Sequence, residues 1–154
     1  MNFHLAQLNI GRILAPLDSP AMADFTGNLD RINALAESSP GFIWRLKDDA
    51  NNATSIQIYD DNRIIVNMSV WNSFDELYAY VYKSMHTEFL KRRREWFEKM
   101  GELYHVLWHV PSGHLPEVAE ARERLEHLRM HGETPYAFSF KKTFSVEDRM
   151  GRMA

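Results

Sequence analysis

Cysteine is absent from this sequence, which removes disulfides, thiolate metal sites and cysteine nucleophiles together and fits a reducing compartment. Long apolar runs are also missing: no stretch approaches the ~18 to 20 residues that a membrane span requires. There is no surplus of positive charge either. The chain has 18 Lys and Arg against 21 Asp and Glu, a formal net charge of −3, whereas a general nucleic-acid binder normally shows a basic excess. The seven glycines form neither a phosphate-cradling loop nor a dinucleotide fingerprint, and there is no serine elbow and no HExxH motif. Nucleotide chemistry and serine hydrolysis are therefore not indicated. The start MNFHLAQLNIGR lacks the basic and continuously apolar segments of a secretory signal, so a cytoplasmic protein is expected.

What is present describes one α+β domain. With 154 residues, 45% apolar and 25% charged, the chain can bury a single core; we assign residues 1–145 to one domain and 146–154 to a tail. Phe3 to Ile10 alternates as a strand, with Phe3, Leu5, Gln7 and Asn9 on one face and His4, Ala6, Leu8 and Ile10 on the other. Ser19 with Pro20 opens a helix that runs to about Ser38 and ends at Pro40-Gly41. Phe42 to Leu46 reads as a second strand, residues 47–55 as an exposed loop, and Ile56 to Tyr59 as an extension or partner of that strand. Arg63 to Trp71, rich in β-branched residues, reads as a central strand. Ser73 and Glu76 fit a capping box that opens a long helix, bent near Ser84 and closed at Gly101. Tyr104 to Val110 is the next strand, Pro116 to His131 an outer charged helix with Val118, Ala121, Leu125 and Leu128 as its apolar stripe, and Tyr136 to Phe140 a last edge strand.

The order β-α-β-β-α-β is the split βαβ pattern of the ferredoxin-like fold, with two helices on one face of an antiparallel sheet and here an extra C-terminal helix and strand. The other sheet face needs a cover. A second copy of the same sheet would supply one, which predicts a homodimer forming an α/β barrel.

The densest functional-looking run is YKSMHTEFLKRRREWFE, residues 82–98. At helical spacing Tyr82, His86 and Arg93 share one flank beside the apolar face that carries Phe89 and Trp96. Histidine is suited to proton transfer near neutral pH, Tyr82 stands one turn before it, and Arg93 is the arginine of the run placed to meet an anion or carboxylate. The structural alternative is a histidine satisfied by a backbone carbonyl or by Tyr82, with the arginines paired in solvent. Trp44, Trp71, Trp96 and Trp108, with Tyr104, Tyr82 and Phe89, either pack the core or line a pocket for a planar substrate. Asn67, Ser69 and Trp71 share a face of their strand, as do Gln7 and Asn9, and His105 and His109; if those faces point inward, they line a wet cavity. Asn67 joins the substrate-binding candidates on that ground. Glu123, His127 and His131 fall on one helical face, a weak metal signal without a fourth ligand.

The segments HLAQLNIGR, SVWNSFDELYAYVYKSMH, RRREWF and VLWHVPSGH together resemble a bacterial family of uncharacterised proteins, over most of the chain. That family is similar in fold to the dimeric α/β-barrel superfamily, which includes antibiotic-biosynthesis monooxygenases, haem-degrading monooxygenases, chlorite dismutase relatives and cofactor-free cyclases and isomerases. The resemblance implies a monooxygenase or isomerase acting on a hydrophobic or aromatic metabolite without a tightly bound cofactor. His86 would move the proton, Tyr82 would assist and Arg93 would hold a substrate oxygen. The alternatives are a haem- or metal-binding protein with His86 as ligand, and a non-catalytic dimeric ligand-binding module.

Overall fold

The structure of the protein, a computed structural model, describes residues 2–47, 54 and 56–145. Most of the loop expected over residues 47–55 and the tail at 146–154 lie outside the described residues.

Four strands form one antiparallel sheet: β1 (Phe3–Arg12), β2 (Phe42–Arg45), β3 (Ile64–Trp71) and β4 (His105–Pro111), in the order β2-β3-β1-β4. With helices between β1 and β2 and between β3 and β4, this is the ferredoxin-like split βαβ topology. β1 and β3 pair at the centre of the sheet, and β3 is buried at every position but Asn67, as expected for a strand covered on both faces. Their register sets Asn9 opposite Asn67, Gln7 opposite Ser69 and Leu5 opposite Trp71.

Both helical regions are more broken than periodicity predicts. The first divides into a 3-10 turn (Pro20–Met22), α1 (Ala23–Gly27) and α2 (Leu29–Ser38). Asn28 sits at the break and its amide donates to the carbonyl of Asp24 at 2.6 Å, an Asn side chain competing for a backbone acceptor. Ser19 stands at the expected cap position before Pro20, but its hydroxyl donates to the Pro16 carbonyl rather than accepting from the helix. The second region divides into α3 (Phe74–Lys83), α4 (His86–Lys91) and α5 (Arg93–Trp96). The Ser73 cap forms as read, accepting from the Glu76 N–H at 3.3 Å. The bend at Ser84 is a full break: its hydroxyl donates to the Tyr80 carbonyl and also accepts from the His86 N–H.

α2 and α3 cover one face of the sheet, where Leu5, Trp71 and Leu107 meet Ala36 and Leu77, while Trp96 and Phe97 close the end of that face over Ile13 and Ile65. Phe97 lies so close to β1 that a Cβ on Gly11 would stand 2.6 Å from its ring.

The opposite face belongs to α6 (Val118–His131). Ala121, Leu125 and Leu128 pack on Ala6, Leu8, Ile10, Val66, Met68, Val106 and Trp108. The apolar stripe is the one read from sequence, but its consequence differs. The face assigned to a second subunit is buried by the chain's own helix, so the burial argument for a homodimer does not hold. Two short elements are corrected as well. Residues 56–59 form no strand; Ile58 is buried in the α6 core, and its carbonyl accepts from Arg122 at 3.4 Å. The last edge strand meets the sheet through a single bridge, Leu107 with Phe138, closed by two backbone hydrogen bonds of 2.7 and 2.9 Å, and its neighbours Ala137 and Ser139 bridge locally to Thr134 and Lys142.

Candidate active site

Between the sheet and the broken helices lies a cavity of about 470 Å³. Its floor is the polar row on the helix-side faces of β1, β3 and β4. Gln7 Nε2 donates to Asn67 Oδ1 at 2.7 Å and to Ser69 Oγ at 2.8 Å, and Asn9 Nδ2 donates to Gln7 Oε1 at 3.3 Å. Ser69 also accepts from the indole N–H of Trp71 at 2.8 Å. Asn67 is the one exposed residue of β3, in a strand otherwise buried along its length. It borders the cavity, on the sheet face opposite the one that α6 covers. Since Asn67 Oδ1 accepts from both Gln7 and Asn9, its NH2 group is the end left to meet a ligand.

The walls are mainly apolar and aromatic. Phe25, Leu29 and Ile32 come from α1 and α2, Tyr80 and Val81 from α3, and Phe89 and Trp96 from α4 and α5. Trp96 is held between Phe25 and Phe89, with ring centroids 5.5 and 6.0 Å away. Over β4, Phe140 lies flat on His105, ring centroids 4.8 Å apart, and also meets Tyr82 at 5.3 Å. The C-terminal segment thus roofs the end of the cavity above His105.

His86, Tyr82 and Arg93 all border this cavity, as do Asn67, Trp96 and Tyr104. The geometry within the group departs from the sequence reading. His86 Nδ1–H donates to the Val81 carbonyl at 3.2 Å and its ring packs on Tyr80 at 4.9 Å. This is the backbone-satisfied arrangement, made available by the break at Ser84 that exposes the last carbonyls of α3. It fixes the tautomer and leaves Nε2 with the lone pair. Burial holds the imidazole below the ordinary histidine range, only partly offset by the Val81 bond, so it is neutral at pH 7 and able to accept a proton. Tyr82 packs instead on Tyr78, 4.8 Å between rings, and on Phe140; burial raises its hydroxyl above the ordinary tyrosine range.

Arg93 is oriented by neutral groups. It donates to the Ile10 carbonyl at 3.1 Å and lies over the rings of Tyr104 at 4.2 Å and Phe97 at 5.1 Å. Arg92 pairs with Asp24 and Glu95, both at 2.8 Å, and Arg94 is exposed. The arginine run separates as its helical positions require.

Of the tryptophans read as possible pocket walls, Trp44 packs against the α6-side core, and Trp71 and Trp108 also lie elsewhere. Trp71 is fully buried beneath α3, stacked on Tyr80 at 5.1 Å, and reaches the floor only through Ser69. Trp108 is on the α6 face, its indole donating to Glu120 at 2.8 Å. Side-chain parity explains the second: Trp108 pairs with Ala6, one position out of step with the Gln7 row. Among the described residues no group of three His, Cys, Asp or Glu converges to hold a metal, and His127 instead packs on His131 and Tyr136 at 4.5 and 4.6 Å.

Sequence reasoning passed over two cavity residues as individual site candidates. His105 stands opposite Asn9, and burial followed by the charge of Arg93 lowers it to about 4. Arg45 faces Ser69 from the edge strand and is only 6% exposed, with Glu37 3.6 Å away. A lone arginine inside the strand FIWR was the available signal for the latter.

The fold and site define a ferredoxin-like α+β protein with one sheet face closed by its own helix and the other bordering a cavity. The chain belongs to the family described as "Domain of unknown function (DUF3291)", whose model matches residues 4–153. A search of curated proteins gives no match. Among solved structures the chain is similar to SnoaB, a cofactor-independent oxygenase from Streptomyces nogalater, at 17% identity over 74% of this chain and 98% of that one, TM-score 0.49. It is also similar to the NE2512 protein of unknown function from Nitrosomonas europaea, at 14% identity over 75% and 96% of the two chains, TM-score 0.46. No helix among the described residues is long and apolar enough to cross a membrane.

Proposed function

We propose that the protein is a small-molecule enzyme of the monooxygenase or isomerase type, acting on a hydrophobic or aromatic metabolite without a tightly bound cofactor. The observation that carries this reading is the cavity: aromatic walls, a hydrogen-bonding floor centred on Asn67, and the neutral imidazole of His86 at its border. Such a site suits proton abstraction from a conjugated substrate, whose flat body the walls sandwich and whose oxygens meet the Asn67 amide and Arg93. Isomerisation needs only the proton returned at another carbon. Oxygenation of a CH2 group to C=O would consume O2 as oxidant and release water, the substrate supplying the electrons.

The test is turnover of a panel of conjugated ketones and phenols, read by mass spectrometry with and without oxygen, for the wild type and His86→Ala. General-base loss lowers rate by roughly 10²- to 10⁴-fold, with ligand affinity retained. Binding without product in every case would make this a ligand-binding module instead.

A haem reading has one observation in its favour. The Nδ1–H bond to Val81 is the type of bond that orients an axial histidine, and Nε2 of His86 would be the atom to hold the iron. Haem would supply redox chemistry there. Titration with hemin decides it: a Soret band that disappears in His86→Ala supports haem, and an unchanged spectrum of free hemin removes it.

A further inference from the structure

On the reading that this cavity holds the substrate, we infer that the substrate is an anion, a small conjugated acid whose carboxylate is taken by Arg93. The chain carries a net charge of −3, yet the ionised groups bordering the cavity among the described residues are three cations, Arg45, Arg93 and Lys141, and one acid, Glu102. Glu102 is 59% exposed and already meets Arg129 at 3.4 Å, and Arg45 meets Glu37 at 3.6 Å, which leaves Arg93 and Lys141 as the cavity's ionised groups with no opposite charge within ion-pair distance among the described residues. The cavity is therefore electropositive inside an acidic protein, an arrangement that concentrates anions.

Arg93 is the focus of that field. No carboxylate lies within ion-pair distance of it among the described residues; it meets the Ile10 carbonyl, the ring faces of Phe97 and Tyr104, and the Tyr104 side chain as a neutral hydrogen-bond partner. One position earlier in the same sequence run, Arg92 has two acids at 2.8 Å. The chain thus supplies counter-ions to the solvent-facing arginine and withholds them from the cavity-facing one. A half-buried guanidinium without a counter-ion is costly to the fold, and an incoming carboxylate would remove that cost. Tyr104 fixes the guanidinium plane, and with one N–H used on Ile10 and one on the Tyr104 side chain, the remaining donors of the five stay available for a carboxylate. The neighbouring His105 does not share the role of cation, since burial and Arg93 keep it neutral. Beside it, Asn9 and then Asn67 follow in register across β1 and β3, offering neutral hydrogen bonds to the rest of the molecule.

Isothermal calorimetry with 1-hydroxy-2-naphthoate and its methyl ester tests the assignment. The wild type should bind the acid at least ~10-fold more tightly than the ester, about 1.4 kcal/mol. Arg93→Met should bind the ester as before and lose the preference, while Arg93→Lys should keep part of it. Equal binding of acid and ester by the wild type overturns the anion assignment and leaves the cavity reading standing; that comparison needs no variant to fold. A preference that survives in Arg93→Met also overturns it. Failure of the wild type to bind either compound overturns the assignment together with the cavity reading.

Discussion

The indole N–H of Trp71 donates to the hydroxyl of Ser69 at 2.8 Å, and the same oxygen accepts from Gln7 at 2.8 Å. One hydroxyl therefore ties the cavity floor to the aromatic core beneath α3. Ser69→Ala would leave two buried donors without that acceptor, and unpaired buried donors cost roughly 1–3 kcal/mol each. A fall in stability of about 2 kcal/mol is expected in urea titrations, accompanied by a shift in tryptophan emission. A loss under about 0.5 kcal/mol, the range of an ordinary surface change, would show that the donors find other partners.

Stability should fall on mild acidification. His105 is held at about 4 against an ordinary 6.5, so between those values the unfolded chain binds a proton that the folded one does not. The stability is fully present above pH 6.5 and is lost as pH falls through the interval toward 4, by roughly 3 kcal/mol from this residue. The depressed His86 acts in the same direction. Denaturant midpoints at pH 7.5 and 5 measure the slope, and His105→Asn should flatten it.

Phe140 lying flat on His105 makes a prediction about the same titration. Phe140→Ala would admit water above the ring, so the His105 value should move up toward the ordinary histidine range, read from the imidazole proton shifts. An unmoved value would mean that Arg93, rather than the roof, dominates.

Gly11→Ala should destabilise by about 1–3 kcal/mol, the usual cost of overpacking. The added methyl would stand 2.6 Å from the Phe97 ring, and Phe97 is held in place by its bridge to Ile13. Thermal denaturation checks this, and Phe97→Leu combined with Gly11→Ala should recover part of the loss.

Leu125 is fully buried where α6 meets the sheet. Leu125→Ala should cost about 2–5 kcal/mol. A surface helix loosely applied to the domain would lose far less, which makes this the direct check that α6 seals the face.

Much of the candidate site could be read before folding. Gln7, Asn9, Asn67 and Ser69 alternate with apolar neighbours at period 2, so their shared faces followed from the chain alone; that the faces met in register did not, because pairing depends on which strands become neighbours. His86 and Arg93 were legible as members of one flank. Their partners were not: the break at Ser84 lets His86 turn to the Val81 carbonyl, while Tyr82, still within α3, packs on Phe140. A continuous helix would have kept Tyr82 beside His86. Trp71 and Trp108 were chosen for residue type, and residue type does not decide side.

The sequence by itself determined the βαββαβ order, the capping of α3, the apolar stripe of α6 and the polar row along the strands, since each depends on local periodicity and turn chemistry. Only the tertiary structure decided that α6 folds back onto the sheet, that Arg93 is held by rings and a carbonyl without an acid, and that His105 joins the site under Phe140. Those are contacts between residues far apart in the chain, set by which surfaces bury each other, and no local pattern encodes them.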